Sequence, residues 1–217
     1  GLRVIPVTKR KDVRDALISK NGGKFAELPV GSVIGTGSLR RSAQLKQLRP
    51  DLEYKFIQGN VDSRIHQMET GNYDAIILAA TGLQKMNMID IATEIFETST
   101  MLPAVGQGIL GIELIDREGH VYELVKKLRH EPTKQAADAE RAFLIALGGG
   151  CNLPIAAYAL IEGEEITIHG VFASEDGKYY AQDTISGNVE DRKDLARTLA
   201  LQLKEEVELK KNQKVEA

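Results

Sequence analysis

The sequence is 217 residues long, 42% hydrophobic and 27% charged, with a formal net charge of −3 and a single cysteine. The acidic balance, with no long Lys/Arg block outside the C-terminal helix, argues against a nucleic-acid binder, and no apolar run approaches the ~20 residues of a membrane span. One cysteine cannot form an internal disulfide, which fits the reducing cytoplasm, and the opening on Gly1 rather than Met suggests that something has been removed from the front.

Leu2 to Val7 (LRVIPV) predicts a short strand, and Pro6 makes it an edge or a connector. Asp12 to Ser19 (DVRDALIS) reads as one or two helical turns, and Asn21-Gly22-Gly23 as a loop. A regular alternation follows. Gly31 to Gly35 is a buried strand, and Ser38 to Leu48 is a helix with Ser38 as N-cap, ended by Arg49-Pro50-Asp51. Glu53 to Gln58 is the next strand, and Gly59-Asn60 turns into a helix from Val61 to Glu69 that Thr70-Gly71-Asn72 stops. Asp74 to Ala79 is a third strand, followed by Ala80-Thr81-Gly82 and a helix through Met86. Strands spaced by helices of this length imply right-handed βαβ units and a parallel sheet.

After Met101 the character changes. The Gly-rich stretch from Leu102 to Gly108 leads into the strand Ile109 to Ile115, and Val121 to Leu128 and Thr133 to Leu147 are helices. Gly148-Gly149-Gly150-Cys151 breaks the second. Ile155 to Ile161, Glu165 to Ala173 and Tyr179 to Ile185 are strands, with Asp176-Gly177 a hairpin signal. The last helix, Asp191 to Lys210, carries Leu195, Leu199, Leu203 and Val207 on one face, suited to packing on a small antiparallel sheet.

The chemistry concentrates at the three βα turns. The first carries Gly35, Thr36, Gly37 and Ser38 with Arg40 and Arg41, the second Gly59 and Asn60 with Arg64, and the third Gly82 with Lys85. In an open parallel sheet these turns lie beyond the carboxyl ends of the strands, where ligands bind, and each helix start offers free N–H groups. Arginines in a first helical turn oppose the helix dipole at a cost of ~0.3–1 kcal/mol each, so they predict a compensating anion, a ligand with several carboxylates or phosphates. The spacing is neither a P-loop nor a GxGxxG fingerprint. Cys151, between three glycines and Asn152-Leu153-Pro154, is open to two readings: a buried small hydrophobe, or a loop thiol available for covalent attachment. His66, His120, His130 and His169 are dispersed, so no metal site is expected. Asp12, Asp15 and Asp62 are acid/base candidates by residue type alone.

Six motifs resemble one family. GTGSLRRSAQL (Gly35 to Leu45), QGNVDSR (Gln58 to Arg64), YDAIILAATGL (Tyr73 to Leu83), LPAVGQG (Leu102 to Gly108), AERAF (Ala139 to Phe143) and GGCNLPI (Gly149 to Ile155) are similar, in order and over nearly the whole chain, to hydroxymethylbilane synthase, or porphobilinogen deaminase. The resemblance implies a transferase of tetrapyrrole (heme) biosynthesis that condenses four porphobilinogen molecules head to tail on a covalent dipyrromethane cofactor. It implies Cys151 as the thioether attachment, Ser38, Arg40, Arg41 and Arg64 as cofactor binders, and Thr36, Gln58, Gly59, Asn60 and Lys85 as substrate binders. The implied fold is a periplasmic-binding-protein-like α/β domain with a parallel or mixed sheet (19–101), a remnant of a first such domain with its hinge (1–18 and 102–117), and a C-terminal α+β domain with a three-stranded antiparallel sheet (118–217). A cytoplasmic monomer is implied, without nucleic-acid or membrane partners; loss of most of the first domain would expose apolar surface and favour association.

The sequence also departs from that pattern. The family's catalytic aspartate, in an HSMKD-like motif, has no counterpart, so no catalytic residue is assigned and turnover by this chain alone is not expected. Gln58 and Lys85 stand where the family has arginines, each exchange weakening a charged contact of ~1.5–3 kcal/mol. The second hypothesis is therefore a non-catalytic anion- or oligopyrrole-binding module descended from the enzyme.

Overall fold

The computed structural model describes residues 1–150 and 153–213. They form three sheets. A five-stranded sheet has the order β4-β3-β5-β2-β6, from β2 (Asp15–Ser19), β3 (Val33–Gly35), β4 (Glu53–Lys55), β5 (Ala75–Ala79) and β6 (Glu94–Ile95). β1 (Leu2–Val7) pairs antiparallel with β7 (Leu110–Ile115) as a separate ribbon. β8 (Ile155–Glu162), β9 (Glu165–Ala173) and β10 (Tyr180–Asn188) make a three-stranded antiparallel sheet, as expected. The helices are α1 (Leu39–Leu48), α2 (Val61–Glu69), α3 (Ala80–Lys85), α4 (His120–Lys126), α5 (Glu131–Ala146) and α6 (Arg192–Gln213).

The βαβ reading holds where it matters: β3 is parallel to both β4 and β5. The whole sheet is nevertheless mixed, because β2 runs antiparallel to β5 and β6. The helical reading of Asp12 to Ser19 is corrected by the same strand. All five residues of β2 are buried, and a short run buried on both faces carries no alternation to distinguish strand from helix. The expected domain boundary after residue 18 falls inside β2. Leu45 of α1 packs on one face of the sheet with Leu17, Ile34 and Ile77. Met68 of α2 and Leu83 of α3 pack on the other with Ile18 and Ile76.

In the C-terminal unit, Phe143 of α5 and Leu199, Leu203 and Val207 of α6 are fully buried against the sheet. Gly170 lets them close up, since a Cβ there would stand 2.7 Å from the Phe143 ring. Leu102 packs against Ala156 and Val171 of that sheet, so the segment after Met101 touches the C-terminal unit from its start. The β1–β7 ribbon leaves Leu2, Leu110 and Ile115 more than half exposed, at 66%, 52% and 57%.

Candidate functional site

The first βα turn is built by close backbone contacts. A Cβ on Gly35 would meet the Tyr73 ring at 2.9 Å, and one on Gly37 the carbonyl of Ile57 at 2.8 Å. The Thr36 hydroxyl accepts from the Ser38 amide at 3.2 Å, and Ser38 caps α1 by accepting from the Arg41 amide at 3.4 Å. These bonds start the helix with Leu39, Arg40 and Arg41 in its first turn.

Both arginines turn inward, 5% and 8% exposed, and the anion they meet is Asp15 of β2, fully buried. Arg40 Nη1 donates to Asp15 Oδ2 and to the Leu102 carbonyl, both at 2.7 Å. Arg41 donates to Asp15 Oδ1 from Nε at 3.1 Å and from Nη2 at 2.7 Å, and from Nη1 to the Ile77 carbonyl at 2.9 Å. The compensating anion predicted at this turn is thus in part the chain's own carboxylate. Burial alone would raise the Asp15 pKa, but the charges of Arg41 and Arg40 hold it below the usual carboxylate value. Arg40 is drawn below its ordinary value by burial, with the Arg41 charge adding to the effect. A guanidinium stays charged at neutral pH, so two positive charges face the single negative charge of Asp15.

The second turn adds to the excess. Asn60 caps α2 by accepting from the Ser63 amide at 2.8 Å, and Gly59, at φ +132°, brings the chain against the Ser63 side chain. Arg64 donates from Nε to the Gly59 carbonyl at 2.8 Å, the one hydrogen bond of its side chain among the described residues. Its pKa is lowered by burial first and by the Arg41 charge second. Arg40 and Arg41 therefore share the Asp15 carboxylate, and Arg64, close enough to feel the Arg41 charge, adds a third cation, an arrangement suited to a further anion. Gln58 is exposed, and its carbonyl accepts from Gln67 Nε2 at 3.0 Å.

The third turn differs from its reading. α3 has only six residues, and its first amide, that of Ala80, donates to the Arg14 carbonyl at 2.9 Å. Lys85 lies in the last turn of α3, exposed, about 7 Å along the axis from the helix start. The apolar run of β5 continues straight into the helix, so no residue type marks where the turn lies.

A cleft of about 390 Å³ opens beside the α1 N-terminus, walled by Leu39, Val105, Leu144, Leu153 and Ile155, with Ser38 and Arg40 also lining it. Arg40 Nε is buried and has no hydrogen-bond partner among the described residues. Gly150 and Leu153 line this cleft too; Cys151 itself lies outside the described residues. A larger recess of about 510 Å³ between β7 and α4 contains none of the cationic cluster.

Residues unassigned by sequence reasoning hold the site together. Gln107 Nε2 donates to the Val13 carbonyl at 2.6 Å and to Asp15 Oδ1 at 3.0 Å, and Gln44 clamps the Leu102 backbone in both directions. Glu140 of α5 is fully buried. It accepts from Arg10 at 2.5 and 3.2 Å and from the Gly106 and Ala159 amides at 2.7 and 3.0 Å. Burial lifts its pKa against the opposing pull of Arg10. Glu140 lies in AERAF and Gln107 in LPAVGQG, so motif membership was the only signal available for either. Among the described residues no group of His, Cys, Asp or Glu stands together as a metal site, and no helix is long and apolar enough to cross a membrane.

Two family models match the chain. "Porphobilinogen deaminase, dipyromethane cofactor binding domain" covers residues 1–123, and "Porphobilinogen deaminase, C-terminal domain" covers 134–205. The chain is similar to the porphobilinogen deaminase of Lysinibacillus sphaericus, 50% identical over 189 residues, or 87% of this chain and 61% of that protein. It is as similar to that of Bacillus subtilis, 50% identical over 190 residues, or 87% and 60%. For Geotalea uraniireducens the identity is 46% over 204 residues, or 94% and 64%. The chain thus spans about three fifths of the length of these relatives.

Proposed function

The chain belongs to the porphobilinogen deaminase family, and from that premise we propose that it is the greater part of a hydroxymethylbilane synthase, holding a dipyrromethane cofactor and binding porphobilinogen. The observation that carries this reading is a group of three guanidiniums next to an apolar cleft, Arg40 and Arg41 on the one Asp15 carboxylate and Arg64 within reach of the Arg41 charge with no acid partner among the described residues. Porphobilinogen carries two carboxylates on an aromatic ring, so a linear oligomer of it needs cations and flat apolar walls together.

The residues present fit the cofactor. Among the described residues Arg40 Nε is a buried donor lacking an acceptor and Arg64 has no acid partner, and the cleft runs to Gly150, next to Cys151 in the chain. We assign Cys151 as the attachment point, and Ser38, Arg40 and Arg64 as carboxylate binders. Arg41, spent largely on Asp15 and Ile77, orients the cluster and adds its charge. Thr36, Gly59 and Asn60 shape the two turns, Gln58 stands exposed beside the second, and Lys85, at the far end of α3, is assigned to substrate on its motif position alone. When bound, the dipyrromethane offers the pyrrole carbon to which the next unit is joined. The chain's own contribution is electrostatic: fixed donors hold the carboxylates, and the apolar walls exclude water from the reacting ring. The acid that assists loss of ammonia is assigned to the further length present in the relatives.

The fold reading is of the same kind. We place the five-stranded unit with periplasmic-binding-protein-like domains, on the strength of its mixed sheet and the return of the chain through β7 to pair with β1. β1 and the 102–117 segment belong to a first α/β domain and hinge, the exposed Leu2, Leu110 and Ile115 being surface such a domain would cover. Residues 118–217 are the C-terminal domain. The compartment is the cytoplasm and the working form a monomer.

Mass spectrometry of the purified chain tests the assignment. A dipyrromethane adduct on the Cys151 peptide, absent from Cys151→Ala, is expected when the chain is produced together with the remaining length found in its relatives. An unmodified Cys151 under those conditions would refute it and favour the module without catalysis.

A further inference from the structure

Phe56 is out of keeping with the other phenylalanines. Phe25, Phe96, Phe143 and Phe172 are at most 7% exposed, whereas Phe56 is 70% exposed. Isolated apolar residues on a surface are ordinary, so exposure alone decides nothing. What sets Phe56 apart is where it stands and how firmly its backbone is held. It follows β4 directly, at the carboxyl edge of the sheet, between the turn that starts α1 and the turn that starts α2. Its carbonyl accepts from the Tyr73 hydroxyl at 2.8 Å, the carbonyl of Lys55 before it accepts from the Thr36 amide at 3.0 Å, and Ile57 after it is 1% exposed. The main chain is pinned on both sides while the ring stays in solvent.

The ring also adjoins the cleft. Phe56 Cε2 lies 3.6 Å from where a Cβ on Gly37 would stand, and Gly37 and Leu39 line the cleft. Gly37 thus leaves the ring uncovered on that side, and Phe56, Gly37 and Leu39 form an apolar strip running from outside the cleft into it. The cations of the two flanking turns can hold carboxylates, but they offer nothing to the ring that bears them.

We infer that Phe56 is a positioning residue, the stacking face for a pyrrole ring at the cleft mouth whose carboxylates go to the Ser38 and Arg64 turns. The inference rests on the reading of the site as an oligopyrrole crevice, and adds a contact by which an aromatic dicarboxylate is chosen over an aliphatic one. A flat ring on a flat ring loses no hydrogen bond, and such stacking contributes enough to change affinity about fivefold or more.

Calorimetric titration of the chain and its Phe56→Ala and Phe56→Tyr variants with porphobilinogen, and with glutarate as a ringless dicarboxylate, tests this. Phe56→Ala is expected to weaken porphobilinogen at least about fivefold and leave glutarate unchanged, with Phe56→Tyr within about twofold of wild type. Because the chain has no tryptophan, Phe56→Trp adds a single reporter whose emission should change on porphobilinogen binding. Porphobilinogen affinity unchanged in Phe56→Ala would overturn the inference and leave the proposed function standing. Equal weakening of both ligands would overturn it in favour of a structural role, and absence of porphobilinogen binding by wild type would overturn the proposed function itself.

Discussion

Replacing Asp15 by asparagine is the most demanding perturbation of the cationic cluster. The Asp15 carboxylate is fully buried and faces only donors: Arg40 Nη1, Arg41 Nε and Nη2, and Gln107 Nε2. Asparagine keeps the shape but removes the charge and turns an NH₂ toward one of those donors. Removing one partner of a buried ion pair costs about 3–5 kcal/mol, because the remaining charge is left uncompensated. For a chain of this size that lowers the melting temperature by about 6–20 °C. Thermal melting followed by circular dichroism measures it. The pH dependence has a definite sign. The folded-state pKa of Asp15 is lowered, so its contribution is present above the unfolded value near ~3.9 and is lost as pH falls through the folded value. The gap between wild type and variant should therefore be full at neutral pH and close on acidification below about pH 4. A melting temperature within about 2 °C of wild type at pH 7 would refute the reasoning, since it would mean that Asp15 does not hold the arginines.

Glu140→Ala removes the acceptor shared by Arg10, Gly106 and Ala159, and should lower stability by about 3–5 kcal/mol. It also cuts a tie between the 102–108 segment and α5, so the calorimetric transition should broaden relative to wild type. Gly37→Ala places a Cβ 2.8 Å from the Ile57 carbonyl, and denaturant titration should show a loss of about 1–3 kcal/mol. Ser38→Ala deletes the α1 cap and should cost about 0.5–2 kcal/mol in the same assay, with weaker porphobilinogen binding as a second readout.

Much of the site could be read locally in the sequence. Ser38 and Asn60 are caps by residue type, the glycines of the first two turns are needed for close backbone approach, and the α2 limits follow from Asn60 and Thr70. The partners of the arginines could not be read that way. Asp15 precedes Arg40 by 25 positions, and its strand looked like a helix because both its faces are buried. Gln107 and Leu102 reach the cluster from more than 60 positions downstream of Arg40. The third turn failed for a different reason. Its glycine and lysine resemble a helix start, whereas the helix begins at Ala80, whose amide donates to the Arg14 carbonyl. Spacing predicted which turns carry cations, but not which cations the fold itself would neutralise.

Positive charge is left over at the cluster after Asp15 is counted, and Arg64 is where that charge is most accessible. Titration of porphobilinogen into wild type and Arg64→Ala, each with its melting temperature, tests it most directly. Loss of one charged contact of ~1.5–3 kcal/mol predicts affinity about 10- to 150-fold weaker. Burial and then the Arg41 charge disfavour the Arg64 guanidinium, which offsets loss of its bond to the Gly59 carbonyl, so the melting temperature should stay within about 2 °C of wild type. Equal affinity in the two proteins, or a variant that binds poorly only because it melts early, would contradict the account.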